Sequence, residues 1–264
     1  MLRGVIHTHS TYSDGEYTLG ELREVLAAEG CSFACMTDHA EFFDEESLRA
    51  YVEECEALSD ERFRFVAGLE YTCERRLHVL GYGVTTPSGT TDPQRVIEHI
   101  ERGGGVSVIA HPMDSMFEWI EGFEVLPRGV EAWNSKYDGR HAPRPGTYRL
   151  ISRLRRRRPD LLAFYGVDYH WKKQFRGLHV LAECDAPTRD EVLGALAAGR
   201  FVGAKGELRL PATGDLPEPL LEEFGTINAR SMSRRRLLKN VKKVADRLGL
   251  RVPAPVKAQL RRIF

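Results

Sequence analysis

Long hydrophobic runs are missing from this sequence: none approaches the ~20 apolar residues that a membrane-spanning helix needs, and His7 already interrupts the first apolar segment. A transmembrane span is therefore not expected, and a reducing cytoplasm is the default location. Cysteine is sparse as well. Five cysteines among 264 residues, with no Cys-x-x-Cys pair, argue against a disulfide framework and a sulfur-ligated zinc site. Cys31 and Cys35 flank an apolar stretch and read as small buried hydrophobes. Net charge is absent, with 38 basic and 38 acidic residues, but its distribution is uneven: residues 226–264 hold twelve Lys or Arg against one acid, which leaves the body acidic. No internal repeat or low-complexity linker is evident.

What is present is 42% hydrophobic residues, enough for a substantial core, arranged as short apolar runs alternating with amphipathic stretches. That alternation reads as βα units around a largely parallel sheet. Strands are expected at 4–7, 33–37, 63–69, 77–82, 106–110, 130–133, 161–167 and 178–182, and helices at 18–29, 45–58, 93–102, 148–157 and 189–198. So many units suggest a barrel rather than an open sheet. Pro211, Gly214, Pro217 and Pro219 mark a loop-like stretch before a basic segment that begins near Ser231. The expected division is a barrel over 1–210, then a linker and basic helical extension over 211–264.

Followed toward their carboxyl ends, the strands deliver His7 with His9, Asp38 with His39, Glu70, His111, Asn134, and Asp168 with His170. In a parallel barrel those ends open on one face, so residues far apart in sequence converge on one pocket. The densest run is VIHTHSTYSDG, with His7, His9 and Asp14. Each residue has an ordinary alternative: a polar strand end for the histidines, a turn for Asp14–Gly15, a helix N-terminal acid for Glu70. Their joint register with strand ends has none. Imidazole nitrogen mixed with carboxylate oxygen suits Zn, Mn or Fe, whereas an all-oxygen set suits Mg or Ca. Such ions lower the pKa of bound water from about 15.7 toward ~7, and a pair sharing a carboxylate sits ~3.5–4 Å apart, the spacing for phosphate ester hydrolysis.

Seven ordered motifs carry a family resemblance: HTHSTYSDG at 7–15, TDH at 37–39, GLE at 68–70, HVLGYG at 78–83, GGGVSVIAHP at 103–112, VEAWN at 130–134 and GVDYH at 166–170. Over roughly residues 4–205 the chain resembles the PHP domain proteins, the polymerase and histidinol phosphatase group of metal-dependent phosphoesterases. The resemblance implies a distorted (β/α)7 TIM-like barrel with three divalent ions, Zn, Mn or Fe. It implies that His7, His9, Glu70 and Asp168 hold one metal, that Glu70 bridges to a second held by His78 and His111, and that Asp14, His39 and His170 hold the third. Glu70 and Asp168 would then serve catalysis directly, with Asp38 orienting ligands beside them. His78 is the outlier, because it precedes its apolar run.

Substrate candidates are Asn134, with Glu131, on the rim, and Lys136, Arg140, Lys172 and Arg176 as phosphate clamps. Residues 139–159 contain eight Arg and no acid: the loop could steer an anion, while Arg155–Arg158 suit a helix C-terminus. Ile6 stands where many relatives have Asp, and Ala40 follows TDH where a polar residue is common. Only 32 residues separate His78 from His111, room for one helix but not for the helical domain that family nucleotide phosphatases often carry there. That weakens the case for nucleotide specificity.

The leading expectation is a phosphoesterase acting on a small phosphorylated metabolite. Alternatives are a nuclease whose basic tail tracks nucleic acid, a non-catalytic metal-binding regulatory module, and a C–N or C–O hydrolase. The tail places Leu238, Val241, Ala245 and Leu248 on one helical face, suited to docking on the acidic body, on nucleic acid or on an anionic membrane.

Overall fold

The computed structural model describes residues 1–139, 141–172 and 174–247. The chain divides into two compact units, Met1–Leu216 and a second that begins at Pro217. The first half of unit one runs β1 (Leu2–Thr8), α1 (Leu19–Ala28), β2 (Phe33–Met36), β3 (Asp38–His39), α2 (Glu45–Ala57), β4 (Arg64–Val66), β5 (Gly68–Thr72), β6 (His78–Tyr82), α3 (Pro93–Arg102) and β7 (Val106–Ala110). It continues with α4 (Phe117–Glu121), β8 (Gly129–Asn134), α5 (Pro145–Leu154), β9 (Leu162–Gly166), β10 (His179–Ala182), α6 (Arg189–Ala198), β11 (Phe201–Lys205) and β12 (Leu208–Pro211). The second unit is described as one helix, α7 (Glu218–Arg247). The apolar face expected at Leu238, Val241, Ala245 and Leu248 lies outside the described side chains.

The class is mixed α/β, with the strands in two six-stranded sheets, β12-β11-β10-β1-β2-β4 and β3-β5-β6-β7-β8-β9. Two segments pass from one sheet to the other. The first breaks at Thr37, between β2 and β3, and the second at Ala67, between β4 and β5. Past the end of β9 the chain meets β1: the Val167 amide donates to Ile6 O at 3.0 Å, the Tyr169 amide to His7 O at 3.1 Å, and Thr8 bridges Tyr169 in parallel.

The pairing departs from the parallel expectation in one consequential place. β6 runs antiparallel to both of its neighbours, β5 and β7. Its amino end therefore lies level with the carboxyl ends of the strands around it, with His78 opposite Thr72 on one side and Ala110 on the other. A histidine that precedes its apolar run thus reaches the same edge as those that follow theirs. Reversal is possible because the β5–β6 connection is only a short 3₁₀ turn over Glu74–Arg76, too short for a crossover helix. The hairpin β11–β12, also antiparallel, continues the first sheet beyond β10 and was not expected from the sequence.

Every residue of β2, β7, β8 and β9 is buried, which is why β2, β7 and β9 read as largely apolar runs instead of alternating ones, while β8 also buries Glu131 and Asn134. The helices bury one stripe each, such as Leu19, Leu22 and Leu26 on α1 and Val96, Ile97 and Ile100 on α3. Their starts are set locally. Thr18 and Glu21 form a reciprocal capping box on α1, Asp44 and Ser47 another on α2, and Asp92 caps α3 ahead of Pro93.

The crossing at Ala67 leaves no room beside Gly68, where a Cβ would stand 2.4 Å from Gly81 O and 2.9 Å from Met36 O. Gly194, in the middle of α6, has nothing within 4 Å. Urea unfolding should therefore show Gly68→Ala less stable by about 2 kcal/mol and Gly194→Ala more stable by about 1 kcal/mol.

Candidate metal centre

The structure brings all nine expected ligand side chains into one connected cluster. At its middle is Glu70, buried on β5. Glu70 Oε2 lies 3.3 Å from His7 Nε2, 3.2 Å from His9 Nε2 and 3.6 Å from His39 Nδ1. Glu70 Oε1 lies 2.7 Å from His78 Nδ1 and 3.3 Å from His111 Nε2. Asp168 Oδ1 lies 3.0 Å from His170 Nδ1 and 3.7 Å from the Nε2 atoms of both His7 and His9. Asp14, half-exposed, closes the far side at 3.2 Å from His170 Nε2, 3.6 Å from His9 Nδ1 and 3.7 Å from His39 Nε2.

Electrostatics follow from this packing. Burial pushes the Glu70 carboxyl up, but the His7 charge and the hydrogen bonds of His111, His7 and His78 outweigh it and hold the group well below the usual carboxylate range. Asp168 is likewise driven up by burial and then held well below that range by His7 and His170. Asp14 is brought down to about 2, since His170 overcomes the effect of its partial burial. Burial dominates at His9, whose pKa falls to about 3, so this imidazole is neutral. The cluster is thus a set of ionised carboxylates beside at least one neutral ring.

Backbone geometry at the site is strained. Among the described residues five non-glycine residues have positive φ, and three of them are His7 (62°), His111 (27°) and Asp168 (53°). Each such conformation costs about 1–3 kcal/mol and persists only where surrounding structure imposes it. Here it accompanies bulges. β1 slips register against β2 between Ile6 and Thr8, so that His7 is the extra residue. β8 slips against β9 between Glu131 and Trp133. That second bulge lets Glu131 and Asn134, three apart, share one face of the strand, and Asn134 Nδ2 donates to Glu131 Oε2 at 2.9 Å.

Glu131 holds two of the strained residues. Its Oε1 takes His7 Nδ1 at 2.8 Å and its Oε2 accepts the His111 amide at 2.9 Å. If an ion took the place of the proton on Nε2, the Glu131 contact would keep the remaining proton on Nδ1 and leave Nε2 to bind the ion beside Glu70 and Asp168. Gly166 makes the space, because a Cβ there would fall 1.7 Å from Glu131 Oε1 and 3.1 Å from His7 Cβ. Asp38 lies apart from the ligand atoms. Its carboxylate accepts from the Ser10 amide (2.8 Å), Ser10 Oγ (3.0 Å) and Ser13 Oγ (2.7 Å), which ties down the loop between His9 and Asp14. Burial raises its pKa to about 6.

The other expected residues divide. Lys136 Nζ enters the cluster at 3.1 Å from Asp168 Oδ1 and 3.3 Å from each ring nitrogen of His170. Asn134 Nδ2 reaches Asp168 Oδ2 at 3.3 Å. Arg176 donates to Ser135 O at 3.4 Å, and Lys172 pairs with Glu21 at 3.0 Å on the surface. Arg140 lies outside the described residues. Arg155 pairs with Asp215 at 2.8 Å, Arg157 donates to Glu121 O at 2.8 Å and Arg158 pairs with Glu101 at 2.9 Å, so these arginines tie α3, α4 and the segment after β12 to the end of α5. The sequence places Glu131 only on the rim, since its inward aim depends on a bulge that periodicity does not reveal.

The donor set fits divalent metal. Both ring nitrogens of the buried His9 and Nδ1 of His39 lack a hydrogen-bond partner, which is costly for buried polar atoms unless something else binds them. Among the described residues four groupings have donor atoms within 4.8 Å of one another: His9–Asp14–His39–His170, His7–His9–Asp168, His39–Glu70–His78, and His7–His111–Glu131. The first contains the expected trio of Asp14, His39 and His170, and the second matches three of the four residues expected to share an ion.

The sequence profile of the PHP domain matches residues 6–140. The DNA polymerase/3'-5' exonuclease PolX of Bacillus subtilis (strain 168) is 31% identical over 77 residues, 26% of this chain, and the match spans only 14% of that protein's length. A two-domain protein of Bacteroides vulgatus ATCC 8482, containing a predicted PHP-like metal-dependent phosphoesterase, superposes with a TM-score of 0.56 at 17% identity, covering 85% of this chain and 69% of the other. PsfC of Pseudomonas syringae PB-5123 superposes at 0.49 with 16% identity, over 88% of this chain and 100% of its own.

Removing Glu131 leaves a buried ring nitrogen and a buried amide without their acceptor. Glu131→Ala should lose about 1–3 kcal/mol of stability on denaturation and bind divalent ions roughly 10–100-fold more weakly in competition with a chelator. Glu131→Gln, which keeps one acceptor oxygen, should fall between wild type and Ala in both measurements.

Proposed function

From a chain that belongs to the PHP domain family, we propose a metal-dependent phosphoesterase that hydrolyses the phosphate ester of a small metabolite or nucleotide at a trinuclear site. The observation that carries this reading is the connected cluster of six imidazoles and three carboxylates around Glu70. In the proposed assignment Glu70 is shared between two ions, His7, His9 and Asp168 complete one, His78 and His111 the other, and Asp14, His39 and His170 hold the third. The mixed nitrogen and oxygen donors favour Zn, Mn or Fe. The contacts between β1 and the segment after β9, with the crossings at Thr37 and Ala67, support treating the two sheets as a distorted seven-stranded barrel with β10–β12 as an extension.

Divalent ions held there supply activation of water at neutral pH and neutralisation of phosphoryl charge. The chain's own residues do the rest. Glu131 keeps the His7 proton on Nδ1, so that ring offers Nε2 inward. Lys136 brings a cation to Asp168 and His170, where it can meet a phosphate oxygen. Asn134 ties Glu131 to Asp168, holding the two carboxylates in a fixed relation. Asp38 acts as a positioning residue for the Asp14 loop.

A nuclease is the second reading. The partial match to PolX favours it, as does the excess of twelve basic residues over one acid in residues 226–264, which could engage nucleic-acid phosphates.

Protein reconstituted with Mn or Zn should turn over at least one member of a panel comprising a chromogenic monoester, a diester, nucleotides, histidinol phosphate and short oligonucleotides. His9→Ala should abolish that turnover and bind fewer ions than wild type by elemental analysis. A fully loaded wild type inert toward the whole panel sinks the phosphoesterase reading. Activity restricted to oligonucleotides, and lost when residues after Thr226 are deleted, moves the nuclease reading ahead.

A further inference from the structure

We infer that the mouth of the metal cleft is a stacking subsite for a planar aromatic ring carried by the alcohol part of the ester, as the base is carried by the sugar of a nucleotide. The inference rests on the phosphoesterase reading above and names its substrate class. Among the described residues, the large hydrophobic side chains that stand exposed, apart from Met1, are Phe42, Met113, Tyr137 and Trp171. The three aromatic ones adjoin candidate ligands in space. The Tyr137 ring lies 4.4 Å from that of His111, Trp171 lies 5.6 Å from His170, and Phe42 stacks on His39 at 6.0 Å. Met113 follows His111 by two residues.

Each of these rings is braced on one side by an imidazole of the cluster while much of its surface stays in water: Phe42 is 53% exposed, Tyr137 58% and Trp171 48%. Exposed hydrophobic residues scattered singly over a surface need no explanation. Three aromatic rings gathered against one charged cluster point to a binding site. An aliphatic phosphate would gain little from them, whereas a base stacked on an aromatic side chain gains about 1–3 kcal/mol.

Lys136 joins the two halves of such a ligand. Its Nζ lies over the Tyr137 ring at 5.2 Å and the Trp171 ring at 5.1 Å, and 3.1 Å from Asp168 Oδ1. A phosphate drawn to this ammonium therefore has two aromatic side chains beside it for whatever it carries. The interval between His78 and His111 holds α3 and no covering domain, which in sequence weakens the case for nucleotides. The rim provides aromatic surface for a base without a lid, and an open rim accepts the end of a strand as readily as a free nucleotide.

The test uses the full chain, with zinc and without it, and two non-hydrolysable probes: adenosine 5′-phosphonate and methylphosphonate. Calorimetry should give wild type at least about tenfold tighter binding of the adenosine probe. In Tyr137→Ala and in Trp171→Ala the ratio of the two affinities should fall about tenfold, and Tyr137→Phe should retain it. A wild type without that preference overturns the subsite, as do alanine variants in which both affinities fall together and the ratio stays constant. A preference present in a protein that hydrolyses no ester supports the subsite and removes the phosphoesterase reading. A single-stranded tetranucleotide ending in the same base identifies the source of the ligand: tighter binding than the mononucleotide assigns a strand end, equal binding a free nucleotide, and each supports base recognition.

Discussion

Glu70, Glu131 and Asp168 are carboxylates with almost no solvent contact, and the rest of the site is arranged around making that tolerable. An ionised carboxylate withdrawn from water loses several kcal/mol of hydration unless charge or hydrogen bonds replace it. Here the replacement comes from imidazoles on several strands, from the His111 amide and from Lys136. The same histidines are the atoms a metal would use. Charge balance and metal binding are therefore one design problem, and each ion bound would take over part of the compensation that protonated rings and a lysine supply without it.

That arrangement needs the chain to depart from ideal strand geometry where the ligands sit. A regular strand sends residues three apart to opposite faces, yet Glu131 and Asn134 meet, because a bulge intervenes. His7, His111 and Asp168 adopt left-handed backbone conformations that a side chain ordinarily avoids. Their cost is carried by the core: fully buried strands on either side and the capped helices that cover them. Gly166 shows the same logic from the opposite direction, because a residue without Cβ lets a carboxylate and a histidine occupy adjacent space.

Around this rigid polar centre the surface changes character. Rings that would ordinarily be buried stand at the entrance in contact with the ligand histidines, and one lysine spans rings and carboxylate. The candidate metal cluster and the exposed rings are thus built from residues adjacent in sequence, as in His170–Trp171 and Lys136–Tyr137. Selectivity can vary at one member of such a pair without disturbing the other.

Much of the fold and of the site is legible in the sequence, for a local physical reason. Strands buried on both faces are mostly apolar and α3 has an apolar stripe behind its Asp92–Pro93 start, so β7 and α3 are bounded to the residue, and the polar residues at strand ends stand out against such runs. The order of motifs from His7 to His170 follows from the same contrast. Tertiary structure alone decides the rest. The antiparallel course of β6, which brings His78 to the site, is set by pairing with β5 and β7. The inward aim of Glu131 depends on a register slip between β8 and β9, and the occupation of Asp38 by Ser10 and Ser13 depends on a loop held against β3. The meeting of Tyr137 with His111 joins segments 26 residues apart. Periodicity reports which residues avoid water, but pairing partners, bulges and convergence are properties of non-local contacts, and no local pattern in the chain encodes them.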